Sequence, residues 1–274
     1  MTMPMHDLQD ERTVAKSQAL WERWRGFTPA RIGLGRAGNG MPTQEVLRLG
    51  WAHAMARDAI HLPLDVPALA QRLAGDGFAV LQAHSSAPDR ATYLRRPDLG
   101  RRLAPESAAQ LQAALQRGGT QWDLCFVVAD GLSSLAAMRH AAPILTALRP
   151  LLPAELRTGP VIVATQARVA LADEIGDICG ARLSIILIGE RPGLSSPDSL
   201  GVYLTHAPRR GRTDAERNCI SNIRPEGLPY DAAAHKLAWL VRESLRQGLT
   251  GVGLKDESAV TGLAGDAAQP LPDA

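Results

Sequence analysis

L-S-I-I-L-I-G-E-R-P-G-L, residues 183–194, decides how this chain is read. Leu183 to Ile188 is an unbroken apolar run, the pattern of a strand buried on both faces of a sheet. The run stops at Gly189-Glu190-Arg191-Pro192-Gly193. Glycine permits tight backbone geometry, and proline fixes its own φ and restricts the residue before it. An acid and a base are thereby set at the carboxyl end of a buried strand, the edge of an open α/β sheet at which ligands bind. Taken alone, such a turn favours two solvated charges, so the reading depends on what lies beside it.

Upstream the same rhythm occurs twice. A helix is expected from about Glu106 to Arg117, stopped by Gly118-Gly119, then a buried strand Leu124–Ala129. Asp130-Gly131-Leu132-Ser133-Ser134 leads into an Ala-rich helix that ends before Pro150. A strand Val161–Ala164, a crossover Thr165–Val169 and a helix from about Leu171 to Cys179 follow, stopped by Gly180. Strand, helix, strand, helix, strand predicts an α/β fold with a mainly parallel sheet flanked by helices. Three loops, 130–134, 165–169 and 189–193, then converge on one carboxyl edge. Free backbone N–H groups at a helix start suit an anion, although capping the helix is the default use of either serine alone.

The flanks are less regular. Residues 1–30 read as a polar arm with a short helix, Gln18 to Arg25, whose Trp21 and Trp24 need a packing surface. Residues 31–104 read as a smaller, helical N-terminal portion. It opens on a glycine-rich loop at 34–43 that is neither a Walker loop nor a dinucleotide fingerprint. A helix with apolar positions Val46, Leu47, Trp51, Ala54 and Met55 follows, then a strand F-A-V-L at 78–81. Residues 105–255 form the expected ligand-contacting domain, closed by an amphipathic helix from Asp231 to Gln247. The segment between, Tyr203 to Gly211, reads as irregular, and Cys219 sits among small polar residues. Residues 256–274 are Ala-, Gly-, Pro- and Asp-rich, a composition expected to stay disordered.

The totals narrow the function. Thirty Lys+Arg against 28 Asp+Glu leave a net charge of +2, which gives nucleic acid no electrostatic footprint. Three cysteines in 274 residues argue against a disulfide framework and for a reducing compartment. No apolar run approaches a bilayer span, and the opening M-T-M-P-M-H-D-L lacks the order of a signal peptide, so a cytosolic chain is expected. No catalytic constellation, metal-ligand set, Cys-x-x-C or Asp-x-His-x-x-Gly stands out. The residues by themselves give an α/β domain with a crevice for something polar and anionic.

A set of strings goes further. G-R-A-G at 35–38, Y-L-R-R-P-D-L-G-R-R-L at 93–103, D-G-L-S at 130–133 and Arg168-Val169 resemble, in order, the light chain of ethanolamine ammonia-lyase. D-E-I-G-D-I-C-G-A-R-L at 173–183, G-E-R-P-G-L at 189–194 and C-I-S-N-I at 219–223 continue the match, which spans about residues 31–255. The resemblance implies a Rossmann-like chain that closes an adenosylcobalamin site from its lower side. It implies a large partner chain, a β/α barrel that holds substrate and most of the radical chemistry by which ethanolamine becomes acetaldehyde and ammonia. The two chains would assemble as a higher hetero-oligomer. The family's cofactor contacts map onto Val169, Glu190 and Cys219, with Asp130, Ser133 and Arg191 on the same inferred edge as further candidates. Gln166-Ala167 stands where the family carries an aromatic-glycine pair. G-R-A-G begins at residue 35, which leaves little room for the N-terminal extension of microcompartment relatives, so a free cytosolic enzyme is expected. Two other functions compete: an independent nucleotide- or phosphate-binding α/β protein using loop 130–134, and a non-catalytic assembly scaffold.

Overall fold

The computed structural model describes residues 17–28, 30–116 and 121–258. The expected tail at 259–274, the arm before residue 17 and the Arg117-Gly118-Gly119 stop lie outside them. The chain divides into two compact units. One takes the residues up to Arg57 together with Gly193–Ser196, and the other takes Asp58–Pro192 and the chain from Pro197 on.

The first unit holds helix α1 (17–25) and most of helix α2 (Thr43–His61). Trp21 and Trp24 meet edge to face, with centroids 5.8 Å apart. The surface that Trp21 needs is the backbone at Gly33, whose φ of +59° and missing side chain let the indole lie against it.

The second unit is built on one six-stranded sheet. Its strands are β1 (Val80–His84), β2 (Leu124–Ala129), β3 (Val161–Thr165), β4 (Leu183–Gly189), β5 (Leu200–His206) and β6 (Arg217–Ile223). Their order is β1-β3-β2-β4-β5-β6. β1, β3, β2 and β4 are parallel neighbours, whereas β5 runs antiparallel to both β4 and β6. The fold is thus α/β with a mostly parallel sheet flanked by helices. The strand read at 78–81 is observed two residues later, as β1 on one sheet edge. The segment from Tyr203, read as irregular, is corrected: 200–206 is a regular strand, and C-I-S-N-I belongs to the next one.

Alternation along each strand divides the core in two. Leu124, Phe126, Val128, Val161, Val163, Leu183, Ile185 and Leu187 point to one face. There they pack on α3 (Val66–Gly75), α6 (Ser134–Leu148) and α8 (Tyr230–Gln247). Cys125, Val127, Ile162, Ala164, Ile186 and Ile188 point to the other face. That face is covered by α5 (Pro105–Gln116) and α7 (Leu171–Ile178), through Leu111, Leu171 and Ile175. Each fully buried side chain of this size is worth about 1.5–3 kcal/mol, and β2 and β4 are buried at every position. Helix ends follow local chemistry. Asp65 accepts from the Ala68 N–H ahead of α3, Asp89 does the same for Thr92 at α4 (Arg90–Arg95), and Gly248 ends α8 at φ +72°.

Candidate functional site

The carboxyl ends of β2, β3 and β4 lie side by side, because Ala129 is in register with Ala164 and with Ile188. The three loops leaving them do converge. They are held by one buried carboxylate and one pair of glycines. Asp130 accepts the backbone N–H groups of Gln166 (2.8 Å) and Ala167 (3.0 Å) and pairs with Arg90 Nη1 at 3.3 Å. Its side chain is 2% exposed. Burial raises its pKa above the ordinary 3.8, against the opposing pull of Arg90 and the two N–H donors. Arg90 also donates to the carbonyls of Gly131 (2.8 Å) and Ile60 (2.7 Å). Gly131, at φ +53°, and Gly189 let loops 130–134 and 189–193 touch through backbone, and Leu132 N–H donates to Gly189 O at 2.9 Å.

These loops surround a cleft of about 450 Å³ lined by Gly131, Leu132, Arg168, Val169, Ile188, Gly189, Glu190 and Arg191, with Tyr93 and Tyr203. Val169, Glu190 and Arg191, expected from sequence, stand on its wall. Asp130 and Ser133 are buried instead. Asp130 clamps the 166–167 backbone, and Ser133 caps α6 at the Ala136 N–H while donating to Pro197 O at 2.9 Å. Cys219 lies on β6 directly opposite Tyr203 of β5, and the residue is exposed. Desolvation around its sulfur raises the thiol pKa, the Tyr203 hydroxyl opposes that and the Glu190 charge adds to it.

Glu190 is the best-built polar group. Its Oε2 accepts from the Ser199 hydroxyl and, at 3.2 Å, from the Asn222 N–H, so the carboxylate ties the end of β4 to the ends of β5 and β6. Asn222 takes φ +58°, a left-handed conformation that asparagine tolerates better than most residues. Gly201 leaves the space: a Cβ there would stand 3.0 Å from Glu190 Oε1. Among the described residues that Oε1 has no hydrogen-bond donor.

Most of the lining was not among the sequence-derived candidates, and two of the missed residues, Tyr93 and Arg168, shape the cleft most. Tyr93 is fully buried, and its hydroxyl donates to Ala167 O at 3.0 Å. Arg168 lays its guanidinium over that ring, 4.4 Å from the centroid, and its Nε is buried with no acceptor among the described residues. Both lie inside strings already quoted, Y-L-R-R-P-D-L-G-R-R-L and the Arg168-Val169 crossover, but nothing in the sequence joins two positions 75 residues apart.

The fold and cleft define an α/β chain with a polar-edged crevice at the carboxyl end of its sheet, the place where such folds carry a ligand site. A model of the ethanolamine ammonia-lyase light chain (EutC) family matches residues 18–255. A relative from Azotobacter vinelandii, "Ethanolamine ammonia-lyase small subunit", is 56% identical over 251 residues, covering 91% of this chain and 93% of its own. Proteins of the same name from Pseudomonas syringae pv. tomato and Ralstonia nicotianae are 52% and 53% identical, over 96% and 93% of this chain and 91% and 95% of theirs. The chain belongs to the ethanolamine ammonia-lyase light chain family.

Proposed function

We propose that this chain is the small subunit of an adenosylcobalamin-dependent ethanolamine ammonia-lyase and that its cleft takes one edge of the cofactor. The observation that carries the reading is Glu190, a carboxylate held at a strand end by Ser199 and Asn222 with its second oxygen unpaired among the described residues. A corrin ring is fringed with neutral amide arms whose N–H₂ groups need acceptors, and a fixed carboxylate is a strong one. Val169 and Ile188 supply an apolar wall beside it. Cys219, small and polarizable, can pack beside an arm or the nucleotide loop. A cleft of about 450 Å³ takes an edge of a corrinoid and not the whole of it. That supports a division of labour in which a large β/α-barrel chain covers the rest and carries the substrate, within a hetero-oligomer in the cytosol.

The cofactor, when bound, supplies the radical on which the conversion of ethanolamine to acetaldehyde and ammonia runs. This chain's residues bind, orient and exclude water. Glu190 fixes an amide arm, and the Asp130 clamp sets the backbone that carries Arg168 and Val169. The Gly131–Gly189 contact keeps two loops from opening. No group of this chain is assigned a step in bond breaking. The test is ammonia and acetaldehyde release by this chain alone, the large chain alone and the co-expressed pair, with Glu190→Gln in the pair. Activity confined to the pair and a weakened cobalamin affinity in the variant support the reading. An active pair with unchanged affinity in the variant refutes the role of Glu190, and an inactive pair refutes the assignment.

A further inference from the structure

Arg168 is placed at some expense. Its backbone follows Gln166 in the left-handed region at φ +54°, a conformation costly for a residue with a long side chain, and that backbone is pinned by Asp130. Its own N–H donates to Gly100 O at 2.8 Å. Gly100 must lack a side chain, since a Cβ there would stand 2.9 Å from the Tyr93 ring and 3.0 Å from Arg168 Cγ. The guanidinium is thus seated on Tyr93 at the cleft, forms no ion pair among the described residues and leaves a buried Nε without an acceptor. Of the two carboxylates at this end of the sheet, Asp130 is used by Arg90 and two backbone donors, and Glu190, on the same cleft wall, is held by Ser199 and Asn222 and forms no ion pair with Arg168 among the described residues. A fork of fixed donors with no acid of its own is built for an anion.

The amide arms of a cobalamin are neutral. The phosphodiester in its nucleotide loop is the anionic group on its periphery. We propose that Arg168 holds that phosphodiester, so that the cleft binds the two chemistries of the cofactor's edge separately: amide arms at Glu190, phosphate at Arg168. The inference rests on the reading that the cleft takes a corrinoid and adds to it the group that discriminates one corrinoid from another.

The experiment uses the co-expressed two-chain assembly and two probes, cyanocobalamin and dicyanocobinamide, the latter lacking the nucleotide loop with its phosphodiester. Affinities are read by equilibrium dialysis and by the corrin absorbance, with no turnover required. Arg168→Gln weakens cyanocobalamin about ten- to a hundredfold, the loss of one charge-assisted contact, and leaves cobinamide binding unchanged. Arg168→Lys retains part of the affinity, as a point charge without the fork. Glu190→Gln weakens both probes alike. Equal losses on both probes in Arg168→Gln, or no loss on cyanocobalamin with the assembly still folded by thermal unfolding, would overturn the proposal and leave the corrinoid reading standing. A parent assembly that binds neither probe overturns the reading and this inference together. Adenosine monophosphate bound by the parent as tightly as cyanocobalamin, and lost in Arg168→Gln, assigns the anion to a free nucleotide and overturns the phosphodiester.

Discussion

Replacing Gly189 by alanine tests how the cleft is held. A Cβ at that position would overlap the Ser133 carbonyl oxygen and stand 2.6 Å from the Asp130 carbonyl oxygen, inside the 3.0 Å that such carbons respect. Neither obstacle is the free end of a side chain. Ser133 O accepts the Ala136 and Ala137 N–H groups that begin α6, and Asp130 O accepts the Ser133 N–H. Relief therefore breaks two or three backbone hydrogen bonds at about 1 kcal/mol each and adds an overpacking penalty of about 1–3 kcal/mol. The expected loss is about 3–6 kcal/mol, a large share of the roughly 5–15 kcal/mol of a typical domain. Urea unfolding of the purified chain, followed by far-UV circular dichroism, measures it. Gly50→Ala is the internal comparison. It lies within helix α2, where a Cβ meets nothing within 4 Å, and it should stabilise by about 0.5–1 kcal/mol. If Gly189→Ala shifted the midpoint no further than a surface substitution does, about 0.5 kcal/mol, the loop contact would be soft and the argument refuted.

Further perturbations give separable outcomes. Arg217 and Asp173 form an ion pair with both side chains 2% exposed, so Arg217→Met alone should cost about 3–5 kcal/mol. The double change with Asp173→Leu should cost less than the single one, which a double-mutant cycle of unfolding free energies reads directly. His140 is buried against Tyr230, with Nδ1 2.8 Å from the hydroxyl, and burial holds its pKa below the ordinary 6.5 despite the nearby Asp198. The unfolded chain therefore takes up that proton first, and stability should fall as pH drops below about 6.5. His140→Gln should flatten that limb of the profile; a limb unchanged in the variant places the titration elsewhere. Gly201→Ala would press on Glu190 Oε1, the end of a side chain, so on the proposed function it should weaken cobalamin binding by the co-expressed pair while moving the unfolding midpoint little. Gln166→Gly removes a left-handed strain and a buried Oε1 that has no partner among the described residues, and should stabilise by about 1 kcal/mol by urea unfolding.

β2, β3 and β4 were legible because burial on both faces leaves an unbroken apolar run, and the turn residues that end them are as visible as the runs. β5 and β6 were not. L-G-V-Y-L-T-H carries a glycine that serves Glu190 and a tyrosine half-turned to the cleft, and R-N-C-I-S-N-I buries an arginine, Arg217, while leaving Cys219, Ser221 and Asn222 exposed. Burial of a charge by an ion pair defeats any apolar pattern. The same limit hid the site's inner layer. Strand ends and resemblance placed Glu190 at the cleft, and resemblance alone placed Val169 there, but the burial of Asp130 and Ser133 follows from what packs over them, and Arg168 meets Tyr93 only through the tertiary fold.

The distribution of thiols has a practical consequence. Cys125 and Cys179 are buried with their sulfurs 3.3 Å apart, whereas Cys219 is exposed on β6 opposite Tyr203 and beside the Glu190 network. A maleimide dye added to the native, isolated chain should therefore attach once, on β6 opposite Tyr203, with no cysteine engineered in or out. The native sequence is its own singly labelled optical probe, and quenching or loss of labelling would report anything that comes to lie over Tyr203 and the Glu190 network.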